Sequence, residues 1–155
     1  MSNAGAKLNA LELLKEDHAK VKQSFKEFEK MDQEDKATMQ EMVRAVLADL
    51  KAHATIEEEI FYPAVRAAIE DEDLMNEAQV EHASAKELIA QLEGMKADDP
   101  LFSATFTVLG EYVLHHVKEE ESEMFAQVRK AKLDLEELGA KMMARKQELL
   151  ETMPV

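Results

Sequence analysis

The sequence contains no cysteine and no tryptophan, and only three prolines and four glycines among its 155 residues. Without cysteine there are no disulfides, thiolate zinc sites, iron–sulfur clusters or cysteine nucleophiles, so any metal must be held by imidazole and carboxylate. A cysteine-free chain suits the cytoplasm, which is the expected location. Long apolar runs are missing too: none reaches the roughly 20 residues that cross a bilayer. Positive charge is in short supply, since 19 Lys and Arg stand against 33 Asp and Glu, a formal net charge of −14. Such a surface repels phosphate backbones and anionic headgroups, so neither nucleic acid nor membrane is an expected partner. The start of the chain lacks the basic-then-apolar order of a secretory signal. Met1-Ser2-Asn3-Ala4 reads as a tag remnant, and residues 1–7 are set aside as a flexible start.

What is abundant is Glu, Lys, Ala, Leu and Met, the composition of helices rather than twisted sheets. With 46% hydrophobic residues the chain can build one core, and the expected fold is all-α in a single domain. Periodicity locates the elements. Leu11, Leu14, His18, Val21, Phe25 and Phe28 recur at spacings of three and four, predicting a helix from about Asn9 to Met31. Met39, Val43, Val46, Leu50, His53, Glu57 and Ile60 mark a second helix, which Pro63 is expected to kink. A third carries Met75, Ala78, His82, Ala85, Ile89 and Leu92. The fourth is predicted to begin with Asp99 as cap and Pro100 at its first helical position, and to carry Phe102, Phe106, Leu109, Val113, His116 and Glu120 on its way to about Lys130. Asp134 followed by Glu137 reads as the start of a fifth helix with Leu135, Leu138, Met142 and Leu149 on its apolar face. The expected division is a bundle over residues 8–130 and a C-terminal helix within 131–155 that packs on it or on a partner.

The chain also repeats itself. Asp17 to Met31 aligns with Glu81 to Met95, pairing His18 with His82, and the run from His53 to Glu58 aligns with that from His116 to Glu121, which brings Tyr62 opposite Phe125. Two copies of one helical hairpin predict an antiparallel up-down-up-down four-helix bundle. Each hairpin contributes a His from its first helix and His-x-x-x-Glu from its second. Residues four apart share a helix face about 5–6 Å apart, so His53 with Glu57, and His116 with Glu120, project the same way. The phase directs all of them inward. A buried carboxylate without a partner costs several kcal/mol, and a shared metal centre would explain two of them among four imidazoles.

A lone His on an apolar stripe is usually an ordinary packed residue, but six in-phase residues repeated by hairpin are hard to attribute to packing. Glu58, Glu59, Glu119, Glu121 and Glu123 read as a solvated face. His115 forms its own pair with Glu119 but lies about 100° around the helix from His116, which places it outside the ligands or on the surface. Tyr112, one turn before His116, is expected to lie outside the ligands as well, donating a hydrogen bond or simply packing. The ten Met read as core filler.

His18, His53-x-x-x-Glu57 with Glu58-Glu59-Ile60-Phe61-Tyr62-Pro63, Glu81-His82 and His116-x-x-x-Glu120-Glu121 together resemble the hemerythrin HHE cation-binding family. The resemblance covers roughly residues 8 to 130. It implies two iron ions, oxo- or hydroxo-bridged, with Glu57 and Glu120 as bridging carboxylates, His18 and His53 on one ion and His82 and His116 on the other. Zinc or another divalent metal could take the same ligands in recombinant protein. Oxygen-carrying hemerythrins have two His four apart on the third helix, whereas this chain has Ala78 at the earlier position, and solvent or a small ligand is expected in the gap. Ferritin-like di-iron proteins use Glu-x-x-His, which this chain does not match. The function implied is binding, sensing or reacting with oxygen, peroxide or nitric oxide. An enzyme that decomposes peroxide or oxidises ferrous iron is the first alternative, and a metal-free interaction bundle the second.

Overall fold

The computed structural model describes residues 8–152; the tag-like Met1-Ser2-Asn3-Ala4 lies outside them. The described residues are all helical or loop. Helix α1 spans Ala10–Glu29 and is opened by a capping box, in which the Asn9 side chain accepts from the Glu12 N–H while the Glu12 carboxylate accepts from the Asn9 N–H. Helix α2, Lys36–Ile56, is capped by Asp35, and α3, Tyr62–Ala68, continues its direction after a π-helical turn at Glu57–Phe61. Helix α4, Glu72–Glu93, is capped by Asp71. Helix α5, Phe102–Glu119, runs through a second π-turn at Glu120–Met124 into α6, Phe125–Lys130. Helix α7 is Leu135–Thr152.

The antiparallel bundle is closed in the order α1, α2, α4, α5, with α5 returning to α1. Helix α7 lies outside it, across α1 and α2. Its Gly139 allows a close approach: a Cβ there would stand 2.8 Å from the Asn9 carbonyl carbon. Met142 is fully buried on the same side. None of the helices among the described residues is long and apolar enough to cross a membrane.

Two details depart from the sequence expectation. Helix α5 begins two residues later than the Asp99-Pro100 signal suggests, because the Asp99 side chain accepts the Leu101 N–H and closes a turn ahead of the helix. The disturbance near Pro63 is a π-turn, and proline does not account for it, since the second hairpin has the same turn at Glu120–Met124 with no proline in it. What the two turns share is a buried glutamate at their first residue.

The core is split. One apolar cluster joins Leu14, Ile56, Phe61, Met75, Phe125 and Met142; the other joins Val21, Phe25, Leu50, Ile89, Phe106 and Leu109. On α1, His18 falls between Leu14 of the first cluster and Val21 of the second. The polar residues thus occupy a layer across the middle of the bundle, with apolar packing on either side.

Candidate metal centre

The stripe that packs each helix also aims its polar residue inward, so the six residues singled out in the sequence meet in this layer. Glu57 is fully buried and Glu120 is 1% exposed; His18 and His82 are buried, and His53 and His116 nearly so. Glu57 Oε1 lies 3.4 Å from His53 Nε2 and 3.0 Å from His82 Nε2. Glu120 lies 3.1 Å from His18 Nε2 through Oε1 and 3.2 Å from His116 Nε2 through Oε2. Each carboxylate therefore spans one imidazole from each hairpin. The donor atoms fall into two groups, His18, His53, Glu57 and Glu120 in one and Glu57, His82 and His116 in the other, within each of which every atom is less than 4.8 Å from the rest.

The chemistry of these donors fits cations. His18 Nε2, Glu57 Oε2 and Glu120 Oε1 are buried without a hydrogen-bond partner, although His18 Nε2 and Glu120 Oε1 face each other at 3.1 Å. Close approach without hydrogen-bond geometry is how donor atoms stand around an ion they share, and leaving them unpaired otherwise costs roughly 1–3 kcal/mol each.

Behind the imidazoles stands a ring of four carboxylates that the sequence reading assigned to solvent or left aside. Asp17 accepts from His53 Nδ1 at 2.9 Å, Glu58 from His82 Nδ1 at 2.8 Å, Glu81 from His116 Nδ1 at 2.7 Å and Glu121 from His18 Nδ1 at 2.6 Å. Each is the sequence neighbour of a central residue on its own helix and reaches to the next helix around the bundle. Glu58 and Glu121 are about one-third exposed, so the expectation of a solvated face is corrected for them: one oxygen of each orients a histidine. A carboxylate on Nδ1 fixes the tautomer, turns Nε2 inward and raises its basicity as a ligand. The signal was legible in the pairs Asp17-His18, Glu57-Glu58, Glu81-His82 and Glu120-Glu121, an acid beside every hairpin repeat of the motif.

Tyr62 is the residue that periodicity could not place. Five residues after Glu57, it would stand about 140° away on a regular α-helix. The π-turn, with its hydrogen bond from the Tyr62 N–H to the Glu57 carbonyl, brings it back over Glu57. Its hydroxyl donates to Glu120 Oε2 at 2.5 Å and stands 3.1 Å from both His82 Nε2 and His116 Nε2. A phenol oxygen thus stands beside His82 and His116 in a chain that has Ala78 in place of a second imidazole on α4. Ala78 itself is core, 3% exposed.

The outer two residues behave differently. His115 is 65% exposed and pairs with Glu119, on the surface. Tyr112 is about half exposed and makes no hydrogen bond to the centre; it lines a small pocket beside the histidines instead. That pocket, about 60 Å³, is walled by Val21, Leu50, Ala85, Ile89 and Val113.

Charge in the metal-free chain follows from this packing. Burial lowers the His116 imidazole, but hydrogen bonding and attraction to Glu120, with Glu57 and Glu81 behind, raise it to about 10. Burial opposes charge on His53 as well, and Glu57 and Asp17 hold its pKa well above the usual value. Burial would raise Glu57, yet the surrounding imidazoles hold it well below the carboxylate range. Burial and the carboxylates of Glu120 and Glu57 push Tyr62 well up, so it stays a phenol.

Comparison with known proteins agrees with the geometry. A relative from Nostoc sp., described as a DNA nickase, is 33% identical over 122 residues, which are 79% of this chain and 34% of that protein. This chain spans about a third of that relative's length. A solved structure from Mycobacterium kansasii, a hemerythrin HHE cation binding domain-containing protein, superposes with a TM-score of 0.80 at 26% identity, covering 94% of this chain and 89% of that one. Residues 9–128 match the hemerythrin HHE cation binding domain, and the chain belongs to that family.

Proposed function

We propose that the protein holds two iron ions, one by His18, His53, Glu57 and Glu120 and the other by His82, His116, Glu57, Glu120 and Tyr62, and uses them to react with peroxide or oxygen rather than to carry oxygen reversibly. The observation that carries this reading is the Tyr62 hydroxyl among the donors of the second group. Iron supplies redox chemistry when bound, and hard anionic oxygen donors such as phenolate and carboxylate favour its ferric state. A carrier must return to the ferrous state on every release, which a phenolate ligand opposes.

The chain's own residues supply the remaining requirements. The two groups differ by one donor, so the His18 and His53 side keeps room for a small ligand. The pocket of about 60 Å³ holds roughly two water-sized molecules, enough for peroxide or a diatomic such as oxygen or nitric oxide. Its aliphatic walls limit bulk water, and the four outer carboxylates hold the imidazoles in place during a change of charge. The nicking activity named for the Nostoc relative is not carried over, because the matched stretch is only 34% of that protein and a net charge of −14 opposes a DNA backbone.

The test is to load the chain anaerobically with ferrous iron, admit hydrogen peroxide and follow its loss and the evolution of oxygen. Repeated turnover with two irons per chain supports the reading. Reversible uptake and release of oxygen through many cycles, without peroxide turnover, would return the protein to the carriers.

A further inference from the structure

Of the four carboxylates that orient the histidines, two are themselves held by a lysine. Glu58, behind His82, is paired with Lys86, which lies within the bundle on α4 and is 53% exposed. Asp17, behind His53, is paired with Lys146, which comes from α7 and is 23% exposed. The α7 residue is the more enclosed of the two, and it lies beyond residues 9–128, where the family match ends. Lys146 Nζ meets Asp17 Oδ1 at 2.5 Å, while Asp17 Oδ2 meets His53 Nδ1 at 2.9 Å. A cation on one oxygen of Asp17 leaves the other as the acceptor for His53. The neighbouring Arg145 makes the other long-range ion pair of α7, to Glu59, which touches none of the central histidines.

We propose that Lys146 is a positioning residue for the ion held by His18 and His53: through Asp17 it fixes the His53 ring, so that this one contact from α7 serves one metal and not the other. The inference rests on the two-ion reading above. Helix α7 has a packing role of its own through Gly139 and Met142, so general loosening of the helix has to be separated from loss of this one contact. Arg145 makes the separation feasible, because its removal weakens the seating of α7 without touching Asp17.

The experiment loads wild type, Lys146→Ala, Lys146→Arg and Arg145→Ala with ferrous iron under argon and follows its transfer to a chromogenic ferrous chelator, with circular dichroism to establish that each variant is folded. Removing a residue that orients a metal ligand costs about 10–100-fold in affinity, so one of the two irons of Lys146→Ala should leave about ten times faster than in wild type. The other iron should leave at the wild-type rate, Lys146→Arg should restore slow release, and Arg145→Ala should behave as wild type. Unchanged release in Lys146→Ala, equal acceleration of both ions, or the same acceleration in Arg145→Ala would overturn the proposal while leaving the two-ion reading in place. A wild-type chain that retains fewer than two ions would overturn that reading and this inference with it.

Discussion

Tyr62 and Phe125 stand at equivalent places in the two hairpins, each five residues after a buried glutamate and each turned inward by a π-turn, yet only Tyr62 brings a hydroxyl to the centre. Phe125 is fully buried and its ring lies nearly parallel to that of His18, with centroids 6.2 Å apart. The near-twofold repeat is therefore broken at this pair, and the two donor groups become inequivalent there. Tyr62→Phe removes the hydroxyl with little change in packing. The ferric protein should lose the visible absorption that a phenolate ligand confers, and the His82 and His116 ion should be stripped by a chelator about ten-fold faster. Retention of the band would mean that the hydroxyl is not a ligand.

The converse substitution asks which ion meets the small molecule. Phe125→Tyr should present a second hydroxyl to the His18 and His53 group and close its open position. Peroxide turnover is expected to fall by about ten-fold or more while two irons are retained. Since Phe125 is fully buried, thermal unfolding of the variant must be recorded alongside. Turnover at the wild-type rate with both irons bound would place the reaction elsewhere.

Much of this was readable in the sequence because alternation at three and four carries helix, face and depth together. The stripe from Leu11 to Phe28 is buried throughout, and His18 shares it, so the inward direction of the ligand followed from its apolar neighbours. The same argument separated His116 from His115, which the structure leaves 65% exposed. Periodicity failed where the helix changes pitch. Tyr62 lies past the π-turn, five residues after Glu57, where regular phase would turn it about 140° away. It failed also for Asp17, Glu58, Glu81 and Glu121, which lie beside the inward stripe and become significant only through a histidine on the adjacent helix.

Helix phase gives a prediction within one turn of α5. Glu120 is buried and touches His18 and His116, whereas Glu119 pairs with exposed His115. Glu120→Ala should lower the metal content by about one ion per chain or more, and Glu119→Ala should leave it near that of wild type. Metal analysis after desalting decides between them. The reverse order would move the site to His115.

The metal-free chain should show a pH dependence that the loaded chain lacks. His18, His53, His82 and His116 all have pKa values raised above the ordinary imidazole value of about 6.5, His116 to about 10. A raised pKa stabilises the fold fully below the unfolded value, and that contribution is lost as pH climbs through the folded one. Glu57, held well below the ordinary carboxylate range, contributes above that range and loses its contribution as the medium is acidified. The unfolding temperature without metal should therefore fall between about pH 6.5 and 10, and fall again in acid. With metal bound, the imidazoles carry no titrating proton, so the alkaline slope should flatten and loading should release protons. Identical alkaline slopes with and without metal would show that these histidines do not bind it.

The most direct test of the centre is an anomalous difference map from crystals of the iron-loaded protein, collected at the iron absorption edge. Two peaks are predicted, one in bonding contact with His18, His53, Glu57 and Glu120, the other with His82, His116, Glu57, Glu120 and the Tyr62 hydroxyl. A single peak, or one at the surface group of Glu81, His115 and Glu119 with none inside the bundle, would contradict the account.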